Sequence, residues 1–278
     1  MKIKQVFHND FPTLYIVSTP IGNLDDFTFR AVETLKKVDL ILCEDTRVTS
    51  KLLNHFDIKN TLMSYQKFSE VEKLNLIQDK LSKGLNIALV SDAGTPLLSD
   101  PGSILVTSLL NLDVNVVSIP GASALLSALV VSGLYQSQFT FIGFLPRKKS
   151  LQIETLKAFK KNKNPFLLYE SPNRVLETLK LIESILGDRL VTVLREITKL
   201  HETHYHGLLS EFTSEILDHR GEYVLIIDGA KEEVNIEDPL TLYQSFIEDG
   251  MDEKEAIKET AKSLNVHKSV IYKLIKIK

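Results

Sequence analysis

The chain of 278 residues has a single cysteine, Cys43, so it can form neither an intramolecular disulfide nor a multi-cysteine metal site. The preceding run Leu40-Ile41-Leu42 places that thiol in a core strand rather than at a reactive surface. An excess of one charge is also missing. With 33 Lys and Arg against 36 Asp and Glu, the formal net charge is −3. The surface as a whole therefore does not attract polyanions, and any nucleic acid must find a local basic patch. No run is long enough to cross a bilayer. The longest small-apolar stretch, Ala122 to Leu134, is interrupted by three Ser and a Gly and reads as a closely packed core helix. Behind Met1-Lys2-Ile3-Lys4 there is no apolar signal region, so a cytoplasmic location away from membranes is expected. Internal repeats and low-complexity segments are absent. What remains, 44% apolar and 25% charged residues, is ordinary for a soluble globular protein of one large or two medium domains.

The informative stretch is Ser91-Asp92-Ala93-Gly94-Thr95-Pro96-Leu97-Leu98-Ser99-Asp100-Pro101-Gly102. It follows Ile87-Ala88-Leu89-Val90, an apolar run that reads as a buried parallel strand. Gly94 and Gly102 permit positive φ or close approach of a ligand. Pro96 and Pro101 stiffen the loop and remove two amide donors. In open α/β sheets ligands bind beyond the carboxyl ends of the strands. One such loop is an ordinary connection, but three more strand runs end alike. Leu14-Tyr15-Ile16-Val17 leads into Ser18-Thr19-Pro20-Ile21-Gly22-Asn23, Val114–Ile119 into Pro120-Gly121-Ala122-Ser123-Ala124, and Phe166-Leu167-Leu168-Tyr169 into Glu170-Ser171-Pro172. Four small-residue loops at one end of successive strands suggest a built site.

Up to residue 119 the pattern alternates. Strands are expected near 14–18, 39–43, 60–65, 86–91 and 114–119, with helices near 27–37, 46–56, 69–83 and 101–111. This βαβ rhythm predicts a mostly parallel sheet covered on both faces. Asp26 suits the N-cap of the first helix, and Gly84 the stop of the third. After the Pro120-Gly121 boundary, strands are expected near 139–144, 165–170, 190–195, 202–208 and 222–228, and helices at 150–162, 173–186 and 210–219. The short link between the runs at 190–195 and 202–208 predicts an antiparallel pair and hence a mixed sheet. His204 and His206 share a strand face there, but no third ligand type accompanies them, so they read as surface polar residues.

A polar linker at 231–235 leads to three short amphipathic segments near 239–249, 253–263 and 268–277, with the apolar spacing of a helix-turn-helix core. The fold class is thus two α/β domains, 1–119 with a parallel sheet and 120–232 with a mixed sheet, followed by a small helical domain at 237–278. The last segment carries Lys268, Lys273, Lys276 and Lys278 without an acid. It suits phosphate contact, and equally the solvated face of a capping bundle.

The ordered set Ser18-Thr19-Pro20-Ile21-Gly22-Asn23-Leu24, Glu44-Asp45-Thr46-Arg47, the Asp92 loop, Pro120-Gly121-Ala122, Gly143-Phe144-Leu145-Pro146, Tyr169-Glu170-Ser171-Pro172, Arg195-Glu196-Ile197-Thr198-Lys199 and Gly221-Glu222 resembles the tetrapyrrole methylase superfamily. The likeness runs from about residue 13 to 230; Arg220, where Lys is expected, keeps the charge. The resemblance implies S-adenosylmethionine (SAM) as methyl donor, held in a cleft between two α/β domains, a homodimer, and no metal. The branch most resembled methylates the 2'-oxygen of a cytidine in 16S rRNA of the small ribosomal subunit, so free 16S rRNA or the 30S subunit is the expected partner. By the same resemblance the cofactor residues are Pro20, Gly22, Asn23, Asp92, Ala93, Gly94, Thr95, Pro96, Gly121, Ser123, Ala124, Glu170, Ser171 and Gly221.

SAM has no phosphate. It asks for amides and hydroxyls, small residues for close approach and an apolar slot for adenine. Methyl transfer is an in-line displacement governed by positioning, and a ribose hydroxyl gains from a base or a nearby cation. Candidates are Glu44, Asp45, Arg47, Arg195, Glu196 and Lys199; sequence does not rank them. Glu44-Asp45-Thr46-Arg47 is also a plain helix N-terminus. Arg147, Lys148 and Lys149, followed by Lys157, Lys160, Lys161 and Lys163, offer cations for RNA phosphates. Two rival functions stand beside this one: a C-methyltransferase of tetrapyrrole biosynthesis, whose Gly-rich first loop is replaced here, and a non-catalytic RNA-binding relative.

Overall fold

The computed structural model describes residues 3–134, 137–213, 217–231, 238–264 and 266–276. Two five-stranded sheets organise residues up to 230, which form one compact unit. The first half alternates β1 (Thr13–Val17), α1 (Phe29–Lys37), β2 (Leu40–Cys43), α2 (Thr46–His55), β3 (Leu62–Ser64), α3 (Glu70–Ser82), β4 (Ile87–Val90), α4 (Ser103–Leu109) and β5 (Asn115–Ile119). The strands lie in the order β3-β2-β4-β1-β5, all parallel. Apolar runs without polar alternation form these strands because both faces are covered. Val17, Ile41, Cys43, Val90 and Ile119 face one core, while Leu14, Ile16, Leu42 and Leu89 face the other. Cys43 is fully buried, and burial pushes its thiol pKa up.

The second half contains α5 (Ala124–Val131), β6 (Thr140–Phe144), α6 (Lys149–Lys157), β7 (Phe166–Glu170), α7 (Val175–Leu186), β8 (Leu190–Arg195), β9 (Thr203–Leu208) and β10 (Tyr223–Ile227). Its order is β6-β7-β10-β8-β9; only β6 and β7 run parallel, so the sheet is mixed as expected. α5 packs through Leu125, Ala128 and Leu129 onto Leu167, Leu194 and Ile226 of this second sheet. His204 pairs with Glu202 at 2.7 Å, and His206 Nδ1 lies 2.9 Å from Thr192 Oγ1. The final unit, α8 (Pro239–Glu248), α9 (Glu253–Ser263) and α10 (Lys268–Lys276), closes on its own small core of Ile257, Ala261 and Ile271. Lys268 and Lys273 both lie on α10. Among the described residues no helix is long and apolar enough to cross a membrane.

Two local expectations need correction, and a third falls outside the described residues. The helix expected at 210–219 is a single 3-10 turn, Leu209–Glu211; residues 214–216 lie outside the described ones. Its apolar residues Leu209, Phe212 and Leu217 all enter the core below the second sheet, and Tyr223 Oη donates to the carbonyl of Asp218 at 2.7 Å. Tertiary burial imitates a helical period there. The linker at 231–235 falls, from 232 onward, outside the described residues. Finally, Thr28 and not Asp26 caps α1: its hydroxyl accepts from Ala31 N–H at 3.1 Å, whereas Asp26 sits in a preceding 3-10 turn, Leu24–Asp26. Gly84, at φ +87°, does stand just past the end of α3.

The cap correction is testable. Thr28→Ala should lower unfolding free energy by about 1 kcal/mol, and Asp26→Ala by less than about 0.5 kcal/mol. Urea melts of the two variants measure this; equal losses would contradict the assignment.

Candidate active site

β1 lies between β4 and β5, so the loops leaving all three strands emerge side by side. From β1 the chain departs toward β2, and from β4 toward β5, in opposite directions, which opens a crevice at the strand ends. The loops are knitted together. Thr19 N–H donates to the Gly94 carbonyl at 2.9 Å, and Gly94 N–H returns to the Thr19 carbonyl at 3.1 Å. Ser18 Oγ meets Thr95 Oγ1 at 2.9 Å, and Thr95 Oγ1 donates to the Ala122 carbonyl at 3.2 Å. Gly121 closes the knot: a Cβ there would stand 3.0 Å from the Ser18 Cβ.

The second sheet faces this knot with the ends of β6, β7 and β8 and the start of β10; in register, Tyr223 pairs with both Glu170 and Arg195. Between the two edges lies a cleft of about 440 Å³. Ile21, Glu44, Asp92, Ala93, Gly94, Thr95, Asp100, Ser123 and Ala124 line it from one side. Phe144, Tyr169, Glu170, Ser171, Lys199, Gly221 and Glu222 line it from the other.

Of the expected cofactor residues, the structure gathers Asp92, Ala93, Gly94, Thr95, Ser123, Ala124, Glu170, Ser171 and Gly221 in this cleft. Pro20 and Gly22 line a neighbouring cavity of about 420 Å³ instead, with Asp92 in the wall of both. Asn23 accepts from Asp25 N–H and so caps the turn after β1. Pro96 and Gly121 stand behind the lining rather than in it. Among the catalytic candidates only Glu44 and Lys199 reach the cleft. Asp45 caps α2 and holds Arg47 in an ion pair at 2.6 Å. Arg195 is spent on Asp218 at 2.9 Å and on the Arg220 carbonyl at 2.8 Å. Glu196 accepts from Lys199 at 2.8 Å and from Glu222 N–H at 3.0 Å. Lys199 also pairs with Glu222 at 2.8 Å, and its stem fills the space that a side chain on Gly22 would need. Arg147 and Lys149 line a separate groove next to the cleft, and Lys148 stands at the N-terminus of α6.

Asp100, Tyr169, Phe144 and Glu222 were not among the expected site residues. Asp100 belongs to the Gly- and Pro-rich loop already singled out, and its late position there was the available signal. The electrostatics of the cleft turn on it. Burial raises the Asp100 pKa to about 6, reinforced by the carboxylate of Glu44 and opposed by a hydrogen bond with Ser91. Burial and Asp92 raise Glu44. Asp92 is raised as well, by burial, although Asp45 N–H donates to its Oδ1 at 3.1 Å. Three carboxylates thus share a part-buried cleft in which each resists ionising, and a cation would relieve all three. Glu170 differs: fully buried, it accepts from Ser171 N–H and Thr178 Oγ1, both at 2.8 Å, and so locks the turn after β7. Asp45 shows the opposite effect, its pKa lowered to about 2 by hydrogen bonds from Arg47. Among the described residues no cluster of His, Cys, Asp and Glu could hold a metal.

The loop positions are under backbone constraint. Leu97 and Ser99 after β4, and Glu196 and Thr198 after β8, all adopt positive φ without being glycine. Such residues cost about 1–3 kcal/mol each and gather at functional sites. The far end of the β4 loop is anchored by buried Glu70, whose Oε1 accepts from Gly102 N–H at 2.5 Å and from Tyr65 Oη at 3.2 Å.

Comparison with known proteins adds an independent finding. Residues 13–213 match the family model for tetrapyrrole (corrin/porphyrin) methylases. A protein of Halalkalibacterium halodurans named ribosomal RNA small subunit methyltransferase I is 43% identical, covering 99% of this chain and 99% of its own. Its namesake in Bacillus subtilis is 42% identical over 97% of this chain and 96% of its own. Among solved structures, the methyltransferase CobJ superposes with a TM-score of 0.60 at 18% identity, covering 79% of this chain and 95% of that one. Uroporphyrin III C-methyltransferase from Thermus thermophilus gives 0.54 at 19%, over 78% and 97%. These two structures share the fold.

The raised pKa of Asp100 has a consequence for stability. An acid held above its ordinary 3.8 favours the fold below that value, and the benefit disappears as pH rises through about 6. Asp100→Asn should therefore melt higher than wild type at pH 7.5 and close to it at pH 4. Thermal melts at both pH values test this, and parallel melts would refute it.

Proposed function

Because this chain belongs to the tetrapyrrole (corrin/porphyrin) methylase family and is a SAM-dependent methyltransferase, we propose that it methylates small-subunit ribosomal RNA, on the 2'-oxygen of a cytidine ribose. The observation that carries the reading is a pairing of opposite characters. An acidic cleft suited to a sulfonium cation adjoins a groove lined by Arg147, Lys149 and Arg174, suited to phosphates. Near-full-length relatives bearing an rRNA methyltransferase name support the choice of acceptor.

The residues present fit the donor. Glu44, Asp92 and Asp100 supply negative charge for the sulfonium and ammonium groups, and Ala93, Gly94 and Ala124 allow close approach. Ser123 and Thr95 offer hydroxyls, although Thr95 is already engaged with Ser18 and Ala122. When bound, SAM would supply an electrophilic methyl group with a neutral thioether as its leaving group, and the accepting ribose hydroxyl would give up its proton to a base of this chain. The knot of loops after β1, β4 and β5 fixes the donor side, and the turn locked by Glu170 fixes the facing wall, so the chain contributes mainly orientation. Glu44 is the proton acceptor in this reading. It alone of the carboxylate candidates lines the cleft, and its raised pKa makes it a stronger base than an ordinary glutamate. The two α/β halves act as the domains that clasp the donor, in a homodimer acting in the cytoplasm.

Labelled SAM offered in turn with 30S subunits, free 16S rRNA and a uroporphyrinogen tests the function. Label should enter RNA; label entering only the porphyrinoid would refute the reading, as would SAM binding without transfer to any acceptor. Asp92→Ala should weaken SAM binding in calorimetry, and unchanged affinity would count against its role. Glu44→Gln should lower kcat roughly a hundredfold or more while RNA affinity holds. Replacing Arg147, Lys148 and Lys149 together with Ala should reduce RNA affinity and the slope of its salt dependence, with SAM affinity kept.

A further inference from the structure

Phe144 ends β6 and leaves 57% of its surface exposed. A single exposed aromatic ring is unremarkable, but the way this one is placed is not. In a regular strand residues three apart point to opposite faces. The pairing of β6 with β7 slips between Phe141 and Gly143, so that Phe141 pairs with Leu167 and Phe144 with Tyr169. This bulge puts Phe141 and Phe144 on the same face, both edge-on to the Tyr169 ring, with centroids at 5.0 and 5.6 Å. Without it Phe144 would turn toward the buried core on the other side of the sheet. Gly143 makes the bulge possible: it adopts φ +76°, and a Cβ there would come 3.0 Å from Ser99 Oγ of the opposite loop. Tyr169 is itself fixed, since its Oη accepts from Leu125 N–H at 3.1 Å. A rigid backing thus presents an apolar ring outward.

Phe144 also lines two spaces at once, the acidic cleft and the adjoining groove of about 750 Å³. In that groove Arg147, Lys149 and Arg174 face two acids. Buried Glu170 holds its own turn and lies 3.5 Å from Arg174 Nε, and Glu177 lies 3.9 Å from Lys149, so three cations meet two acids and one positive charge is left over. The groove therefore keeps a cationic character beside a flat aromatic surface, the combination that tracks single-stranded nucleic acid.

Resting on the RNA methyltransferase reading, we propose that Phe144 is the stacking platform for an unpaired base of the RNA acceptor, with the neighbouring phosphates drawn along the Arg147–Lys149–Arg174 groove. The base stacked on Phe144 holds its strand at the mouth of the cleft, where the ribose oxygen can reach the donor. Phe144 is a specificity and positioning element: it distinguishes a nucleotide that can be unstacked from one held in a duplex.

The chain has no tryptophan, so Phe144→Trp places a lone fluorophore at the site. Its emission should be quenched at least twofold when 16S rRNA is added with S-adenosylhomocysteine, binding being followed separately by filter retention. Phe29→Trp on α1, where the native ring is 94% exposed, should stay bright in the same titration. In methylation assays Phe144→Leu should raise KM for RNA about tenfold, while Phe144→Tyr stays near wild type, because stacking needs a flat ring. SAM affinity is measured in parallel. The proposal is overturned if bound RNA leaves the Phe144→Trp emission unchanged, if Phe144→Leu methylates like wild type, or if its whole loss traces to SAM affinity. Wild-type protein that retains no RNA and transfers no label to it would overturn the RNA reading itself, and this proposal with it.

Discussion

The site depends on the pair of backbone hydrogen bonds between Thr19 and Gly94. A strand loop that emerges beside its neighbour has no obligation to hold position, and ordering it costs entropy. Here the exchange of two amide–carbonyl bonds extends the β1–β4 adjacency past the end of the sheet, in an antiparallel sense that no sheet strand pair nearby uses. Ser18, Thr19 and Ser91 are nearly fully buried, and each finds a partner inside the knot. Buried hydroxyls left unpaired would cost about 1–3 kcal/mol each, so the loops after β1, β4 and β5 hold their places together or not at all. Everything that lines the near side of the cleft is carried on this knot.

The knot sets the electrostatics in turn. Ordered loops keep Glu44, Asp92 and Asp100 together in partial burial, although their charges repel and their pKa values rise. That is a cost to the empty fold which a cationic ligand would remove. On the facing side each charge already has a partner: Lys199 bridges Glu196 and Glu222, Arg195 joins Asp218, and Glu170 is held by its turn and by Arg174. One wall is therefore poised for a charged guest, and the other is a rigid backstop. The stem of Lys199 packs over Gly22, so the backstop also touches the loop that starts the knot.

Much of this was legible in the residues. Uninterrupted apolar runs marked the strands because a sheet covered on both faces has no solvent side to encode. The short link between β8 and β9 announced an antiparallel pair, and the small residues after Val17, Val90, Ile119 and Glu170 marked the edge where the cleft lies. Less legible was anything set by tertiary partners. Leu209, Phe212 and Leu217 imitate a helix because they are drawn into one core from an irregular segment. Arg195 and Glu196 sit in a motif that points at the cleft, yet their side chains turn to Asp218, Glu222 and Lys199, partners chosen by strand register.

By itself the sequence determined two α/β halves, their sheet types, and the end of the strands at which small, bendable loops collect. Those properties follow from local periodicity and from the backbone demands of Gly and Pro, and both act over a few residues. Only the tertiary structure decided that Asp100 and Glu44 share a cleft, that Pro20 and Gly22 line a different cavity, and that a bulge turns Phe144 outward beside Tyr169. Those outcomes rest on which strands become neighbours and on a one-residue slip between β6 and β7. Strand pairing joins positions far apart in the chain, and no local pattern carries that information.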